Sequence, residues 1–591
     1  MFSNLPGTGK RKVSINRKNT FFTPLIIFLY LSLIENQYSL NTVIMFKGHP
    51  KSLYVAFFAN MGERFGFYTM MGILVYYLTA KYGLSPTKAG VIYSIFYASI
   101  YGLALVGGLF ADRTKNYKGV IFVGLLTMLL GYVLMSIPGL GLVFTVTALF
   151  VIAFGNGLFK GNLQAIVGQI YDDKKYAHLR DSAFSVFYMG INVGALFAPH
   201  AAAGIINWFI NKQGYERNDL LPSLIHKFQD GTLSATEATD LQSIADQVSH
   251  TTVTDLATWT QHYLDVYSAG FNWAFGVAGL TMVFSFLVYV FFKNRLPDVK
   301  KQEESGERVV EMSKQETRQR LTALFLVFAV VIFFWMAFHQ NGLTMSFFAR
   351  DYTVQEVGPT AYLFFDVWSL VAIIIGFYGF LQIIERNVSG RNKVIGFVML
   401  LGGALGAYYR FTQFGDINPF SPELFQPFNP SFIVILTPVI VGLFAWLRKR
   451  NAEPTTPRKI GIGMVLTSFA FLVLLFGSLN LMPFADLTPE SPRVGVGWLI
   501  STYFILTVAE LFLSPMGISF VSKVSPPKYQ GVMQGAWLGA TAVGNLFLGI
   551  GSYLYERIQI WQVWLVFVIL SLIAAGFIFS IMKKLDKVSK D

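Results

Sequence analysis

Long apolar runs separated by short charged connectors dominate the chain, and most are near the roughly 20 residues that an α-helix needs to cross a hydrocarbon layer. They lie at about 52–80, 88–111, 117–137, 141–171, 181–210 and 267–293, then at about 321–349, 357–385, 393–411, 430–447, 459–481, 495–522, 532–555 and 561–582. This pattern predicts fourteen transmembrane helices in an all-α polytopic membrane protein. Residues 211–266 break the rhythm with acids such as Asp219, Asp230, Asp240 and Asp255. Within them, Ser234 and Glu237 stand at capping-box spacing before 235–246, which predicts a capped helix outside the membrane. A linker over 294–320 has mixed charges and no apolar run. It divides the chain into an N-terminal six-helix bundle over 51–293 and a C-terminal bundle over 321–591, after an extension over 1–50.

Composition agrees. Of 591 residues 54% are hydrophobic, 16% aromatic and only 13% charged, too apolar for a soluble multidomain protein. The net charge of +13 would fit nucleic acid, but the Lys and Arg residues cluster in short connectors. Such clustering is a topology signal, and it puts both termini and the basic connectors in the cytoplasm and loop 211–266 outside. No cysteine is present, which excludes disulfides, thiolate metal sites and cysteine nucleophiles. The seven histidines are scattered without metal spacing. Neither an enzyme's constellation nor a channel's repeated filter is visible, and no cofactor is expected. The apolar patch from Phe21 to Leu33 is too short to span. Met45 opens an ordinary lead into the first span, so residues 1–44 are expected to be a dispensable extension; a signal peptide is the other reading.

Polar residues inside the runs carry the candidate chemistry. Asn60, Glu63, Arg64 and Tyr68 are spaced i, i+3, i+4 and i+8, so one helical face carries them all. A charge at bilayer depth costs several kcal/mol unless it pairs or faces water. That face is therefore either a substrate pathway or a structural ion pair that fixes packing. Lys160 lies within another apolar run and needs a partner. A charged linker between two bundles is the arrangement of a secondary transporter built around a midplane site.

Gly107, with Asp112 and Arg113 five and six residues on, closes the second span. This stretch resembles the signature between the second and third helices of the major facilitator superfamily, although a Gly-rich tight turn would look similar. Four further stretches resemble the proton-dependent oligopeptide transporter family. The run from Glu63 to Tyr68 looks like its first-helix motif, and the run from Phe159 to Asn162 looks like its fourth-helix motif, whose lysine faces the first helix. Phe187 to Gly194, including Asn192, is similar to the fifth-helix signature, and Glu510 to Gly517, including Ser514 and Pro515, to the tenth-helix one. Asn429 and Pro430 match the opening of the eighth helix.

The resemblance implies a major facilitator fold of two six-helix bundles, and the motif order assigns the surplus pair of spans to a hairpin inserted at 357–411. We read that hairpin as peripheral; the alternative is that 321–349 belongs to the insertion. The implied activity is import of di- and tripeptides by alternating access, coupled to protons, across the inner or plasma membrane, with a monomer as the working unit. A peptide needs a cation for its carboxylate and a carboxylate for its ammonium group. Arg64 and Lys160 suit the first, Glu510 and Asn429 the second, and Tyr68, Asn192 and Trp537 suit a cavity wall. For Trp537 packing is the more frequent role, since a membrane tryptophan more often packs than lines a site.

Departures matter as well. Asn60 replaces the first Glu of the first-helix motif, Met71 stands where family members carry an Arg, and the seventh helix has His339 near the position of a usual acid. This leaves Glu63, Glu510 and His339 as proton sites, with Glu63 expected to interact with Lys160. A neutral, hydrogen-bonded His339 is the other reading of that residue. The rival functions are a carrier of nitrate or another anion, and a peptide carrier uncoupled from protons.

Overall fold

The computed structural model describes residues 48–171, 175–176, 179–297, 312–385, 388–526 and 529–590. The expectation for residues 1–44 lies outside these, as does most of linker 294–320. The N-terminal bundle comprises α1 (Lys51–Tyr82), α2 (Pro86–Thr114), α3 (Tyr117–Ser136), α4 (Leu142–Ile170), α5 (Arg180–Lys212) and α8 (Leu256–Phe292). Between α5 and α8 stand two short helices, α6 (Leu221–Gln229) and α7 (Ala235–Ser249). The capping box forms as expected, with Glu237 N donating to Ser234 Oγ at 3.3 Å and Ser234 N donating to Glu237 Oε2 at 2.9 Å. The span expected from 267 begins at Leu256 instead. Asp255 caps it, and its first three turns stand clear of the apolar run that marked it in the sequence.

The C-terminal bundle begins with α9 (Lys314–Phe338), passes through a 3₁₀ turn at His339–Gly342, and continues as α10 (Thr344–Asp351). Next come β1 (Glu356–Val357), the single turn α11 (Pro359–Tyr362), the hairpin α12 (Val367–Ile384) and α13 (Gly390–Phe411), and β2 (Asn418–Pro419). Then follow α14 (Phe428–Lys449), α15 (Thr456–Ser478), α16 (Gly497–Val524), α17 (Gln530–Leu546), α18 (Gly549–Tyr555), α19 (Ile560–Ser580) and α20 (Met582–Lys590). The span expected from 357 starts ten residues late because β1 pairs with β2 and closes the root of the hairpin.

Twelve helices among the described residues are long and apolar enough to cross a membrane. The other two expected spans are α1, which carries the Glu63–Arg64 pair, and the stretch 532–555, which is broken into α17 and α18. Glycine explains how a charged helix enters the bundle. A Cβ on Gly62 or Gly66 of α1 would meet the Thr281 and Ala278 carbonyl oxygens of α8 at 3.1 and 3.0 Å, so the two backbones touch directly. Ser285 Oγ donates to the Ala59 carbonyl at 2.5 Å beside them.

The bundles meet along two seams, α2 against α17 and α18, and α5 against α14. Contrary to the peripheral reading, α12 packs in the second seam against both α5 and α14, while α13 lies outermost against α12. Small residues allow that hairpin to close: a Cβ on Gly379 would fall 2.5 Å from the Gly396 carbonyl, and one on Gly403 would fall 2.5 Å from the Ala372 carbonyl.

Candidate functional site

A cavity of about 3030 Å³ opens between the bundles. Its wall includes Arg64, Tyr68, Lys160, Asn192, His339, Asn429, Glu510, Ser514, Pro515 and Trp537, so residues from both halves converge on one space. The lining reaches Asp112, Tyr117, Lys523 and Gly531 at the face that carries the ends of α2 and α16, and the cavity opens there. We call this the basic face, and the opposite one, which carries α6 and α7, the cap face.

Each of the sequence-derived residues has a distinct environment. Arg64 forks onto its neighbour Glu63, donating from Nε and Nη2 at 2.5 Å each, and Asn156 Nδ2 donates to the same Glu63 carboxylate at 2.6 Å. Glu63 is 1% exposed and lies behind the wall, as does Asn60, whose Nδ2 is buried without a partner. No hydrogen bond or ion pair joins Glu63 to Lys160 among the described residues, although the two are within electrostatic reach of each other. Lys160 Nζ stands 4.2 Å above the Tyr101 ring and makes no hydrogen bond among the described residues. Arg64 and Asn156 take three of the roughly four acceptor sites of Glu63, and Lys160 remains a cavity-facing cation without a hydrogen-bonded anion among the described residues.

Across the cavity Glu510 accepts, among the described residues, only from Asn429 Nδ2, at 2.9 Å, and Asn429 also reaches Thr507 Oγ1 at 3.1 Å. Glu510 is within electrostatic reach of Tyr68 and Tyr101 in the other bundle. Asn192 spends an amide proton on Tyr188 O in its own helix at 3.1 Å, so its carbonyl oxygen is available to the cavity. Trp537 is 4% exposed and its ring is pressed against Gly517, where a Cβ would fall 1.9 Å from Cη2. It is both packing and wall.

His339 sits in the 3₁₀ turn, its Nδ1 2.6 Å from Asn545 Oδ1, between the rings of Trp335 (4.7 Å) and Tyr97 (4.5 Å). The break in α9 and the break between α17 and α18 share one polar knot: Gln340 Nε2 donates to Leu548 O at 3.1 Å, and Thr344 Oγ1 donates to Gln340 Oε1 at 2.5 Å. At the basic face Tyr117 donates to Asp112, tying the ends of α2 and α3. Arg113 follows on the last turn of α2. Gly107 has no room for a side chain, since a Cβ would lie 2.2 Å from the Gly157 carbonyl of α4. Gly107→Val is expected to abolish folded protein, because backbone rather than a movable side chain blocks the methyls; recovery of a monodisperse peak in size-exclusion chromatography would show that α2 and α4 can separate.

Sequence reasoning missed the closure at the cap face. Tyr76 Oη donates to Ser346 O at 2.9 Å, Arg350 Nη1 to Thr79 Oγ1 at 3.0 Å, and Thr87 N to Glu556 Oε1 at 2.9 Å, each joining the two halves. Arg217 donates to Glu423 at 2.7 and 3.0 Å, to Ser421 Oγ at 3.2 Å and to Asp219 at 2.8 Å. Burial opposes the charge on Arg217, but Asp219 and Glu423 raise its pKa well above the ordinary arginine value. No local signal marks this pair, because Glu423 lies 206 residues from Arg217 in what reads as a loop. Asn156, by contrast, lies one helical turn from Lys160 in an apolar run, a spacing the sequence does display.

A family model described as POT family matches residues 118–313 and 414–567, more than half of the chain. The chain belongs to the POT family. Among curated relatives, the dipeptide and tripeptide permease A of Pectobacterium carotovorum is 26% identical over 512 residues, covering 85% of this chain and 82% of the relative. The permease of the same name from Escherichia coli K12 is 25% identical over 518 residues, covering 85% and 83%. Two solved structures share the fold. A POT family transporter in complex with 5-aminolevulinic acid matches with a TM-score of 0.62 at 20% identity over 92% of this chain and 98% of that one. A peptide transporter POT in complex with sulfate matches with a TM-score of 0.61 at 21% identity over 95% and 99%. Like other members of the POT family, the chain is a membrane transporter and not an enzyme.

Proposed function

We propose that this POT family member imports di- and tripeptides by alternating access around the central cavity, coupled to protons. One observation carries the reading: the cation Lys160 of the N-terminal bundle and the carboxylate Glu510 of the C-terminal bundle both face one cavity, each with unused hydrogen-bonding capacity. A zwitterionic peptide complements the two. Lys160 takes the C-terminal carboxylate, Glu510 with Asn429 takes the ammonium group, and Tyr68, Asn192 and Trp537 line the space between. The basic face is cytoplasmic by its Lys and Arg content, so the conformation described here is open to the cytoplasm and closed outside, in an inner or plasma membrane. The names of the permease relatives support the substrate class.

Uptake of labelled dipeptide into proteoliposomes, with and without an imposed pH gradient, tests this directly. Accumulation that follows the gradient and is competed by other dipeptides supports it. Transport competed by nitrate but not by dipeptides would replace it with the anion carrier.

His339 and Glu510 are the titratable groups we assign to coupling, because both face the cavity whereas Glu63 is held behind the wall. The two work with opposite sign: protonation creates a cation at His339 and removes an anion at Glu510. His339→Gln keeps a hydrogen bond to Asn545 but cannot titrate. Accumulation driven by the pH gradient is expected to fall about tenfold, equivalent to about 1.4 kcal/mol of lost coupling, with counterflow exchange retained. Undiminished accumulation with an unchanged pH profile would leave coupling to Glu510 alone.

A further inference from the structure

The inserted hairpin, formed by α12 and α13, has so far been given no part in transport, yet α12 is built into the cavity wall. It packs in the seam between α5 and α14, and Tyr378 Oη donates to Val434 O of α14 at 2.9 Å. Both α12 and α14 run from the cap face to the basic face, so this bond sets their register. At 1.5 Å per residue, Ile374 stands beside the first turn of α14, where Asn429 lies, and Val371 stands one turn nearer the cap face. Phe365, two residues ahead of α12, also packs its ring against Phe428 in the first turn of α14 at 5.5 Å. Val371, Ile374 and Tyr378 all line the cavity, together with Ile433 of α14 and Leu196 and Phe197 of α5. This part of the wall is apolar, and its Ile433 lies one helical turn from Asn429.

We propose that α12 supplies a specificity subsite, an apolar pocket for the side chain of the peptide's N-terminal residue. The proposal rests on the peptide reading and on the ammonium group lying at Glu510 and Asn429. The first side chain of a peptide leaves the same carbon that bears the ammonium group, so the pair that binds the ammonium also fixes where that side chain is held. With Val371, Ile374 and Ile433 next to it, a leucine or phenylalanine finds apolar surface there, whereas a lysine would bury its charge without a partner. The hairpin thereby selects among peptides at one end and not at the other.

Reconstituted full-length protein and the peptides Leu-Ala, Ala-Leu and Ala-Ala test the subsite. The KM for Leu-Ala is expected to be about tenfold below that for Ala-Ala, with Ala-Leu showing a smaller advantage. Val371→Ser and Ile374→Ser should each shrink the Leu-Ala to Ala-Ala ratio severalfold and leave the Ala-Leu to Ala-Ala ratio in place. Because serine in this seam also affects packing, a second measurement uses the absence of cysteine from the chain. Labelling of Ile374→Cys by N-ethylmaleimide should be slowed severalfold more by Leu-Ala than by Ala-Leu. Ratios unchanged in the serine variants, with labelling indifferent to peptide order, overturn the subsite while leaving peptide transport intact. Wild-type protein that takes up no dipeptide overturns the peptide reading itself, and the subsite falls with it.

Discussion

Lys160→Ala is expected to raise the KM for a dipeptide by about 30- to 150-fold, the effect of losing a charge-assisted contact worth about 2–3 kcal/mol. The argument is one of availability. Arg64, the other cation sequence reasoning assigned to the carboxylate, is forked onto Glu63 by two bonds of 2.5 Å. Recruiting it would strand Glu63, which is 1% exposed and has no water to turn to. Lys160 makes no hydrogen bond among the described residues and would give up the face of Tyr101. The check is a double comparison with a dipeptide whose C-terminus is amidated. That peptide should bind wild-type protein poorly and lose nothing more in Lys160→Ala, because the two changes remove the same contact. If the amidated peptide loses as much as the free acid, Lys160 acts on folding or on the cycle rather than on the carboxylate, and the role passes to Arg64.

A second large effect is expected at the cap face. Arg217→Ala leaves Glu423, which is 0% exposed, as a buried carboxylate without its cation. Breaking such a pair costs about 3–5 kcal/mol, and the whole cost falls on the closed form, the form in which the pair is assembled. A shift of that size is enough to move a two-state equilibrium by more than a hundredfold. Arg217→Ala should therefore populate a form open at the cap face. It reads as faster labelling, by a membrane-impermeant maleimide, of a single cysteine placed at Ser346, whose carbonyl accepts the Tyr76 hydroxyl in the closed form. Adding Glu423→Ala removes the stranded charge and should return most of the protection. If the double variant labels as fast as the single one, the pair does not control opening, and the closure belongs to Tyr76, Arg350 and Thr87 instead.

The membrane class and the charged linker followed from hydropathy alone, since a bilayer imposes one length and one polarity on every crossing. The polar face of α1 was equally legible, because helical periodicity places Glu63, Arg64 and Tyr68 together whatever the helix packs against. Partner choice was not. Glu63 had Lys160 and Arg64 as possible cations, and only the close approach of α4, which brings Asn156 to the same carboxylate, decided that Lys160 is left to the cavity. The breaks at His339–Gly342 and after Leu546 fall within apolar runs that read as continuous, since the bonds that replace the lost helical ones come from the other broken helix. The hairpin shows the limit most clearly: its two apolar helices were countable from sequence, but a span that faces only lipid and one that lines a cavity have nearly the same composition. Contact with α5 and α14, made across distances in sequence that no local pattern encodes, put α12 in the wall. Composition and periodicity thus determined what kind of molecule this is and which residues lie at membrane depth, while tertiary packing decided which charges neutralise one another and which remain for a ligand.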